Sequence, residues 1–357
     1  MVAITGVLAA RAHRRLDATY GFYILGGRVI GCRSRLATKL IPCRLIILVN
    51  VKRVITMNSL SIRRVTVAGA GVLGAQIAFQ AAVHGFSLFV YDINDGALEA
   101  GRRRLEGLKA AYDGNGVASP DQTAAALART TLSTSLSDAL ADADLLIEAV
   151  PERLDIKQAF YTQLQAVAPV KTIFASNSST MVPSQLAAYT GRPERFLHLH
   201  FAAPVWQHNV AEIMAHPNTN PAVFEALIAF SRQMGMMPIP LNKEQPGYVL
   251  NALLVPFLLA ALQLLVDGVA DYQTIDKTWM IAKDAKSGPF GSIDQIGITT
   301  AYNITRNMAE QNKGSGAARV AAYLKEHFVD TGKLGVDAGQ GFYIYPNPAY
   351  LAPGFLT

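Results

Sequence analysis

The chain has 357 residues, 51% of them hydrophobic and 16% charged, so it is long enough for two domains and too apolar to be intrinsically disordered. It contains two cysteines, which excludes a disulfide framework and a metal site of four thiolates, and we expect no bound metal ion. Its net charge of +6 is concentrated in one segment, which argues against a basic surface over the whole protein.

That segment is residues 1–56, an atypical basic extension. Ten Lys or Arg residues against one acid give it a charge of +9, which leaves the remaining 301 residues at −3. It shows no sustained helical or alternating period before a short apolar run at residues 45–51. Its composition fits a transit peptide or an extension without function upstream of an internal start at Met57, and a nucleic-acid-binding arm is the weaker alternative. We leave it out of the fold prediction.

A strand, a glycine-rich turn, a helix and a second strand open the next segment, residues 57–243. The turn is Gly69-Ala70-Gly71-Val72-Leu73-Gly74, and the second strand ends at Asp92. The first two glycines allow a tight turn and close approach to a pyrophosphate, while the third allows the helix to pack on the strand. A carboxylate at the position of Asp92 accepts hydrogen bonds from an adenosine ribose and repels a 2′-phosphate. The sequence therefore predicts NAD, rather than NADP, as cofactor.

Five further strands are predicted at residues 144–150, 172–176, 196–201, 210–214 and 237–241. Because helices lie between several of them, we predict an α/β fold with a Rossmann-type, doubly wound, mostly parallel sheet. An all-α C-terminal domain is predicted for residues 244–346, followed by a tail at residues 347–357. Its first segment, residues 248–266, is apolar and uncharged, but Asn251, Pro256 and Gln263 interrupt it, so we predict a buried helix rather than a membrane span.

Three polar features of the sheet domain could carry chemistry. Ser176-Asn177-Ser178-Ser179-Thr180 follows a strand, His198 and His200 share one face of another, and Glu212 lies inside an otherwise apolar strand. A buried Glu needs a partner, and a histidine on a neighbouring strand could provide it. Beside a nicotinamide, such a pair would oxidise a secondary alcohol, because the histidine takes the hydroxyl proton while the carboxylate fixes its tautomer. From spacing alone the pairing is a hypothesis, since a strand histidine is more often an ordinary core residue.

From about Arg63 to Tyr345 the sequence resembles the L-3-hydroxyacyl-CoA dehydrogenases, which belong to the 6-phosphogluconate dehydrogenase C-terminal-like superfamily. The matching stretches, in family order, are residues 67–74, residues 147–152 with Lys157, Ala175-Ser176-Asn177-Ser178-Ser179, Leu199-His200-Phe201, Glu212, Pro246-Gly247-Tyr248-Val249-Leu250-Asn251 and Gly339-Gln340-Gly341-Phe342-Tyr343.

The resemblance implies a role for several of these residues. His200 corresponds to the general base of the family and Glu212 to the carboxylate that orients it. Ser179 corresponds to the serine that hydrogen-bonds the substrate, and Asn251 to the asparagine that completes the site. The implied contacts to NAD are Gly69, Ala70, Gly71, Val72, Leu73, Gly74, Asp92, Glu152, Lys157 and Ser179.

The chain also departs from the family pattern. Ala203 stands where the family has an asparagine near the nicotinamide, Ala252 replaces an arginine, and Asp337 lies near the place of a lysine. The lysine-rich helical excursion with which the family grips coenzyme A phosphates is represented here by the cations Arg102, Arg103, Arg104 and Lys109. These departures concern substrate identity more than reaction type.

We therefore predict an NAD-dependent dehydrogenase that oxidises a short-chain L-3-hydroxyacyl-CoA, such as 3-hydroxybutyryl-CoA, to the 3-ketoacyl-CoA, as in fatty acid β-oxidation, or catalyses the reverse. One alternative is a relative that oxidises a non-CoA 3-hydroxy acid such as L-gulonate or carnitine, and another is a non-catalytic NAD-binding structural protein. We expect a cytoplasmic protein with an acyl-CoA-type substrate and no nucleic-acid or membrane partner. The resemblance implies a homodimer through the C-terminal helical domain, for which residues 252–266 are the candidate interface or else an ordinary monomer core.

Overall fold

The computed structural model describes residues 60–311 and 316–357, together with the backbone of three short strands nearer the N-terminus. The chain divides into two compact units, Met1–Ser61 and Ile62–Thr357. Every residue with a predicted role lies in the second unit. The apolar run at residues 45–51 and the candidate start Met57 lie outside the described residues.

The first unit contains a three-stranded antiparallel sheet that the sequence analysis did not predict. Its strands, in sheet order, are β1 (Ala3–Ile4), β2 (Tyr20–Leu25) and β3 (Arg28–Arg33). The two residues between β2 and β3 in the sequence are both glycine, a pair typical of hairpin turns, and aromatic and β-branched residues stand on either side. This signal was missed because the segment was set aside on account of its charge.

The second unit is organised around an eight-stranded sheet. Its strands are β4 (Arg64–Ala68), β5 (Ser87–Tyr91), β6 (Thr130–Ser133), β7 (Leu145–Glu148), β8 (Ile173–Ser176), β9 (Phe196–Phe201), β10 (Val210–Met214) and β11 (Met237–Pro240). Their order is β11-β10-β9-β8-β7-β4-β5-β6, and β9 and β10 are antiparallel whereas the other neighbours are parallel. The predicted mostly parallel, doubly wound sheet is confirmed. Only β6 was not predicted, because its four residues, Thr-Thr-Leu-Ser, carry little apolar signal.

Helices cover the sheet, so its central strands are buried along their whole length. These helices are α1 (Val72–Val83), α2 (Asp95–Gly114), α3 (Pro120–Ala128), α4 (Leu136–Leu140), α5 (Leu154–Val167) and α6 (Pro221–Gln233). All four residues of both β7 and β8 are buried, as expected for parallel strands with helices on both faces. Short 3₁₀ turns at Pro183–Gln185, Ala187–Thr190 and Pro193–Arg195 connect β8 to β9.

The C-terminal part is helical, as predicted. It consists of α7 (Leu250–Val266), α8 (Tyr272–Lys283), α9 (Pro289–Ile296), α10 (Ile298–Gln311) and α11 (Ala317–Leu324), followed by a π-helical turn at Lys325–Val329 and short 3₁₀ turns at Val336–Ala338 and Ala349–Leu351. Its core centres on fully buried side chains such as Phe290, Ile293 and Val320. No helix in the described part of the chain is long and apolar enough to cross a membrane.

Helix α7 differs from the prediction of a buried helix. Within this very apolar segment only Leu258, Ala261 and Leu262 are buried. Leu253 is 70% exposed, and Val249, just before the helix, is 49% exposed. The helix therefore buries one stripe against its own domain and leaves a second apolar stripe exposed to solvent.

Two buried aspartates explain the terminal Gly-x-Gly-Phe-Tyr motif. Asp294 accepts hydrogen bonds from the backbone N–H groups of Phe342 and Tyr343, both at 2.8 Å, and Asp276 accepts one from the Tyr343 hydroxyl at 2.9 Å. A Cβ atom added at Gly341 would lie 2.0 Å from Oδ1 of Asp294, so the motif needs glycine there. Burial raises the pKa of Asp294 to about 6. The motif thus attaches the chain at residues 341–343 to the core of the helical domain.

Candidate active site

The glycine-rich turn between β4 and α1 has the geometry needed to hold a dinucleotide. Gly69 has a φ of +110°, and a Cβ atom added there would lie 2.5 Å from the carbonyl oxygen of Ala149. A Cβ atom added at Gly74 would lie 1.9 Å from the carbonyl oxygen of Gly69, so only glycine lets α1 pack this close to the turn. At Gly71, in contrast, an added Cβ atom would meet nothing within 4 Å, which leaves that side open to a ligand.

The surroundings of the turn also fit a dinucleotide. No side chain caps the N-terminus of α1, so its free N–H groups are available to a pyrophosphate. Asp92, at the end of β5, accepts a hydrogen bond from the N–H of Ala70 at 2.7 Å through Oδ2. Its carboxylate is only half-buried and lies beside the turn, where an adenosine ribose would bind. The residues present therefore fit the predicted NAD.

His200 and Glu212 are hydrogen-bonded to each other. They stand opposite one another on the antiparallel strands β9 and β10, and Nδ1 of His200 lies 3.0 Å from Oε2 of Glu212. The two residues are 4% and 1% exposed. Burial alone would raise the pKa of Glu212, but hydrogen bonds from His200 and from two backbone N–H groups outweigh it and lower that pKa below its usual value. The carboxylate is thus ionised at neutral pH and available to stabilise a positive charge on the histidine.

The start of α7 holds the other oxygen of this carboxylate. The N–H groups of Val249 and Leu250 donate to Oε1 of Glu212 at 2.9 and 3.0 Å. A helix N-terminus favours a negative charge, so the first helix of the C-terminal domain both holds and stabilises the carboxylate of Glu212 in the sheet domain. Asn251 follows in the same helical turn, half-buried. Asn251 is thus the next residue along the chain from the two that hold Glu212, and its role in completing the site remains a prediction.

Ser179 lies at the other end of the histidine ring. Its Oγ is 3.2 Å from Nε2 of His200. Glu152 holds the loop in place, because its Oε1 accepts hydrogen bonds from Oγ of Ser178, from the N–H groups of Ser179 and Thr180, and from Oγ1 of Thr180, at 2.6 to 3.0 Å. The loop hydroxyls and the imidazole therefore converge at the carboxyl ends of the strands, where open α/β sheets bind ligands.

Lys157 is buried and paired with two carboxylates. Its side chain is 1% exposed, and Nζ lies 2.6 Å from Oε1 of Glu148 and 3.2 Å from Oε2 of Glu152. Glu148 in turn accepts a hydrogen bond from Oγ of Ser176 at 2.7 Å. Through Glu152, Lys157 supports the loop at residues 178–180. The contacts of Glu152 and Lys157 to NAD remain predictions.

Most of the cations considered for coenzyme A binding are paired with acids of their own helix. Arg102 and Arg103 are more than half exposed and both approach Glu99, at 3.5 and 3.2 Å. Lys109 lies 2.6 Å from Asp113. Arg104 instead donates to the carbonyl oxygen of Ala70 at 3.0 Å, in the dinucleotide turn. Helix α2 thus presents no cluster of unpaired cations in the described residues.

Two family models match nearly all of the second unit. Residues 64–245 match "3-hydroxyacyl-CoA dehydrogenase, NAD binding domain", and residues 247–345 match "3-hydroxyacyl-CoA dehydrogenase, C-terminal domain". The chain belongs to the 3-hydroxyacyl-CoA dehydrogenase family. It is an NAD-dependent oxidoreductase, and NAD is its cofactor, as the turn and Asp92 predicted.

Three relatives illustrate the range of this family. A probable 3-hydroxybutyryl-CoA dehydrogenase of Bacillus subtilis is 32% identical over 80% of this chain and 98% of its own. The solved structure of (S)-3-hydroxybutyryl-CoA dehydrogenase from Ralstonia eutropha is 32% identical, covers 80% of this chain and 100% of its own, and gives a TM-score of 0.69. A solved diketoreductase, described as acting on dicarbonyl compounds, is 52% identical over 80% of this chain and 99% of its own, with a TM-score of 0.74.

Sequence reasoning missed two residues of this region, Glu148 and Tyr248, and did not identify the partner of a third, His198. Glu148 is 0% exposed at the end of an apolar strand, which is the signal that singled out Glu212 and that was not applied here. Tyr248 was part of a family motif without a role, yet its ring stacks on His200 with centroids 4.5 Å apart. His198 was placed on the correct face of its strand, and only the structure shows that it contacts Tyr248.

Proposed function

We propose that this dehydrogenase interconverts the 3-hydroxyl and 3-keto forms of a short-chain L-3-hydroxyacyl-CoA, with His200 as general base and Glu212 as the residue that orients it. The proposal rests on one observation, that the two nitrogens of the His200 imidazole have different partners. Nδ1 is engaged by a carboxylate, whereas Nε2 points to Ser179 at the ligand-binding edge of the sheet.

The arrangement accounts for the movement of the hydroxyl proton. Because an ionised carboxylate accepts from Nδ1, the neutral ring carries its proton there and keeps Nε2 free to accept one from the substrate. The imidazolium that results lies against the negative charge of Glu212, which stabilises it. The Ser179 hydroxyl, 3.2 Å from Nε2, is placed to hydrogen-bond the same substrate oxygen. When bound, NAD supplies the acceptor for the hydride that leaves the carbinol carbon.

Asn251 and the cofactor residues complete the proposed site. Asn251 would hydrogen-bond the acyl group from the helical side, since it follows directly on the two N–H groups that hold Glu212. Residues 69–74, Asp92, Glu152, Lys157 and Ser179 would hold NAD, with Glu152 acting also through the Ser178–Ser179 loop.

The 3-hydroxyacyl-CoA is proposed because two family models and the relatives from Bacillus and Ralstonia carry that substrate in their names. A second candidate is a non-CoA substrate, either a free 3-hydroxy acid or a β-dicarbonyl compound. Two observations favour it: Arg102, Arg103 and Lys109 are paired with acids of their own helix, and a solved diketoreductase is 52% identical to this chain. Both candidates use the same proton transfer at the same histidine.

One assay separates the candidates. NADH formation is measured with 3-hydroxybutyryl-CoA, free 3-hydroxybutyrate, L-gulonate and carnitine, and NADH consumption with acetoacetyl-CoA and with a diketo ester that carries no CoA. We expect kcat/KM to be highest for the CoA esters. If only the free acids or the diketo ester are turned over, the CoA ester is not the substrate. If none is turned over while NAD binds, the substrate belongs to neither class and both candidates fail.

We also propose a homodimer formed through the helical domain. The exposed stripe of α7 lines a mostly apolar groove of about 550 Å³ together with Ile239 of β11 and Trp279 of α8, and Glu212 of β10 also lines it. An apolar surface of this kind is typical of a protein–protein interface. Light scattering after size-exclusion chromatography should give a dimer for the wild type and a monomer for Leu253→Asp, and a monomeric wild type would contradict the proposal.

A further inference from the structure

Tyr248 occupies an unusual position at the junction between the sheet and α7. It is 0% exposed and has a φ of +55°, a left-handed conformation that is rare for a bulky residue. Its ring lies nearly parallel to that of His200, with the centroids 4.5 Å apart and the planes inclined by 17°. A strained backbone at a buried aromatic residue persists only when its surroundings hold it there.

The Tyr248 hydroxyl is held from two sides. It donates to the carbonyl oxygen of Ser178 at 2.8 Å, and it lies 3.0 Å from Nδ1 of His198. Burial raises the pKa of Tyr248 well above its usual value, so the hydroxyl keeps its single proton. Because that proton is given to Ser178, Nδ1 of His198 must be the donor in the second hydrogen bond.

His198 is suited to donate this hydrogen bond to the Tyr248 hydroxyl through Nδ1. It is 0% exposed, and its Nε2 has no hydrogen-bond partner among the described residues. Burial lowers the pKa of His198 to about 3, so the ring is neutral and carries one proton, on Nδ1. A charged His198 would place a second cation beside His200, whereas the neutral ring fixes the tyrosine without doing so.

We propose that His198 and Tyr248 are positioning residues for His200, an inference that rests on the proposed role of His200 as general base. Tyr248 reaches three parts of the site. Its ring lies flat against the imidazole, its hydroxyl holds the carbonyl next to Ser179, and the N–H groups that follow it bind Glu212. His198 anchors the hydroxyl and thereby the ring.

The stack also acts on the charge that forms on His200. The electron-rich face of a tyrosine ring attracts a cation within about 6 Å, so it stabilises the imidazolium relative to the neutral imidazole. The other titratable groups near this cluster are Glu212 on β10, Glu148, Glu152, Lys157 and Tyr161 from β7 to α5, and His216 after β10. The variants that test the proposal leave all of these groups unchanged.

The test compares His198→Ala, Tyr248→Phe and their combination. Each single variant should lower kcat about tenfold under conditions where chemistry limits the rate, with KM for NAD within about twofold of wild type. Because both changes break the same linkage, the double variant should be no slower than the slower single variant. Tyr248→Leu removes the ring as well as the hydroxyl and should lower kcat further than Tyr248→Phe does.

Two further variants separate positioning from general destabilisation. His198→Asn restores a donor near the place of Nδ1 and should recover most of the kcat that His198→Ala loses. Tyr343→Phe removes another buried hydroxyl, bonded to Asp276 in the helical core, and should change only the melting temperature. Bound NAD and cooperative unfolding confirm that each variant is folded.

The outcomes also distinguish this inference from the proposed function. If His200→Ala abolishes turnover while the His198 and Tyr248 variants behave like Tyr343→Phe, the two residues are structural and the proposal is overturned. Independent, additive losses in the double variant would equally contradict a linkage between them. If His200→Ala retains turnover, the proposed function fails first.

Discussion

Replacing Glu212 by glutamine tests the carboxylate with almost no change in shape. Three N–H groups converge on its two oxygens, from Nδ1 of His200 and from the backbone of Val249 and Leu250. A glutamine offers one oxygen and one NH₂ group. Turning the oxygen to the histidine would leave two buried backbone donors without an acceptor, at about 1–3 kcal/mol each. The oxygen will therefore face the helix, and the NH₂ group will face Nδ1 of the histidine.

That orientation forces the wrong tautomer on the base. Nδ1 must then accept a hydrogen bond, so the proton moves to Nε2 and the nitrogen facing Ser179 can no longer take one from the substrate. The imidazolium also loses its counter-charge. A comparable tautomer change in serine proteases lowers kcat about 10⁴-fold, and we expect a loss between about 10² and 10⁴ for Glu212→Gln. The acidic limb of the kcat/KM profile should move to lower pH.

Pre-steady-state NADH formation over a range of pH values provides the assay, because it reports the chemical step. Glu244→Gln is a matched control, since Glu244 also accepts a backbone N–H and a hydroxyl, both from Ser184, away from the His–Glu pair. A Glu212→Gln enzyme with kcat within about tenfold of wild type and an unchanged pH profile would refute the assigned role of this carboxylate.

Three other predictions follow from the turn, the helical core and the N-terminal unit. Asp92→Ala should lower the affinity for NAD and reduce the preference for NAD over NADP in binding titrations. An unchanged preference would mean that another group recognises the adenosine ribose. The pKa of Asp294 is raised to about 6 in the folded chain, so ionisation of this group lowers the free energy of unfolding by about 3 kcal/mol as the pH rises from about 4 to 7. In denaturant titrations the free energy of unfolding of Asp294→Asn should therefore increase relative to that of the wild type between about pH 5 and 7.5. A difference that stays constant over this range would contradict the raised pKa. A chain that starts at Met57 should keep its kcat and melting temperature, because every residue with a proposed role lies in Ile62–Thr357, and loss of NAD binding would show that the removed segment is needed.

The architecture of the second unit could be predicted because its signals are local. Strand β5 was predicted at the residues where it lies, and so were β9 and β10, because each is a short, largely apolar run between turns. The glycine-rich turn was predicted with its cofactor because glycine spacing and Asp92 act within thirty residues of chain. Strand β6 was not predicted, since four largely polar residues at a sheet edge resemble a loop.

The details of the site depend on contacts between distant segments, which spacing does not reveal. That Glu212 meets His200 could be suspected from an acid in an apolar strand, but the backbone donors from the start of α7 follow only from how the two domains join. The sequence shows that Lys157 is charged, but it does not show that the side chain is buried between Glu148 and Glu152. Tyr248 gave no signal, because neither its left-handed backbone nor its stack on the histidine is encoded in a residue pattern.

Replacement of His200 by alanine tests the central claim most directly. Single-turnover NADH formation with 3-hydroxybutyryl-CoA, or with the best substrate of the panel, should slow by about 10²- to 10⁴-fold, because the alcohol proton loses its acceptor. NAD affinity should stay near the wild-type value, since the ring contacts Ser179, Glu212 and Tyr248 and not the dinucleotide turn. A variant that keeps more than about a tenth of the wild-type single-turnover rate would show that His200 is not the base.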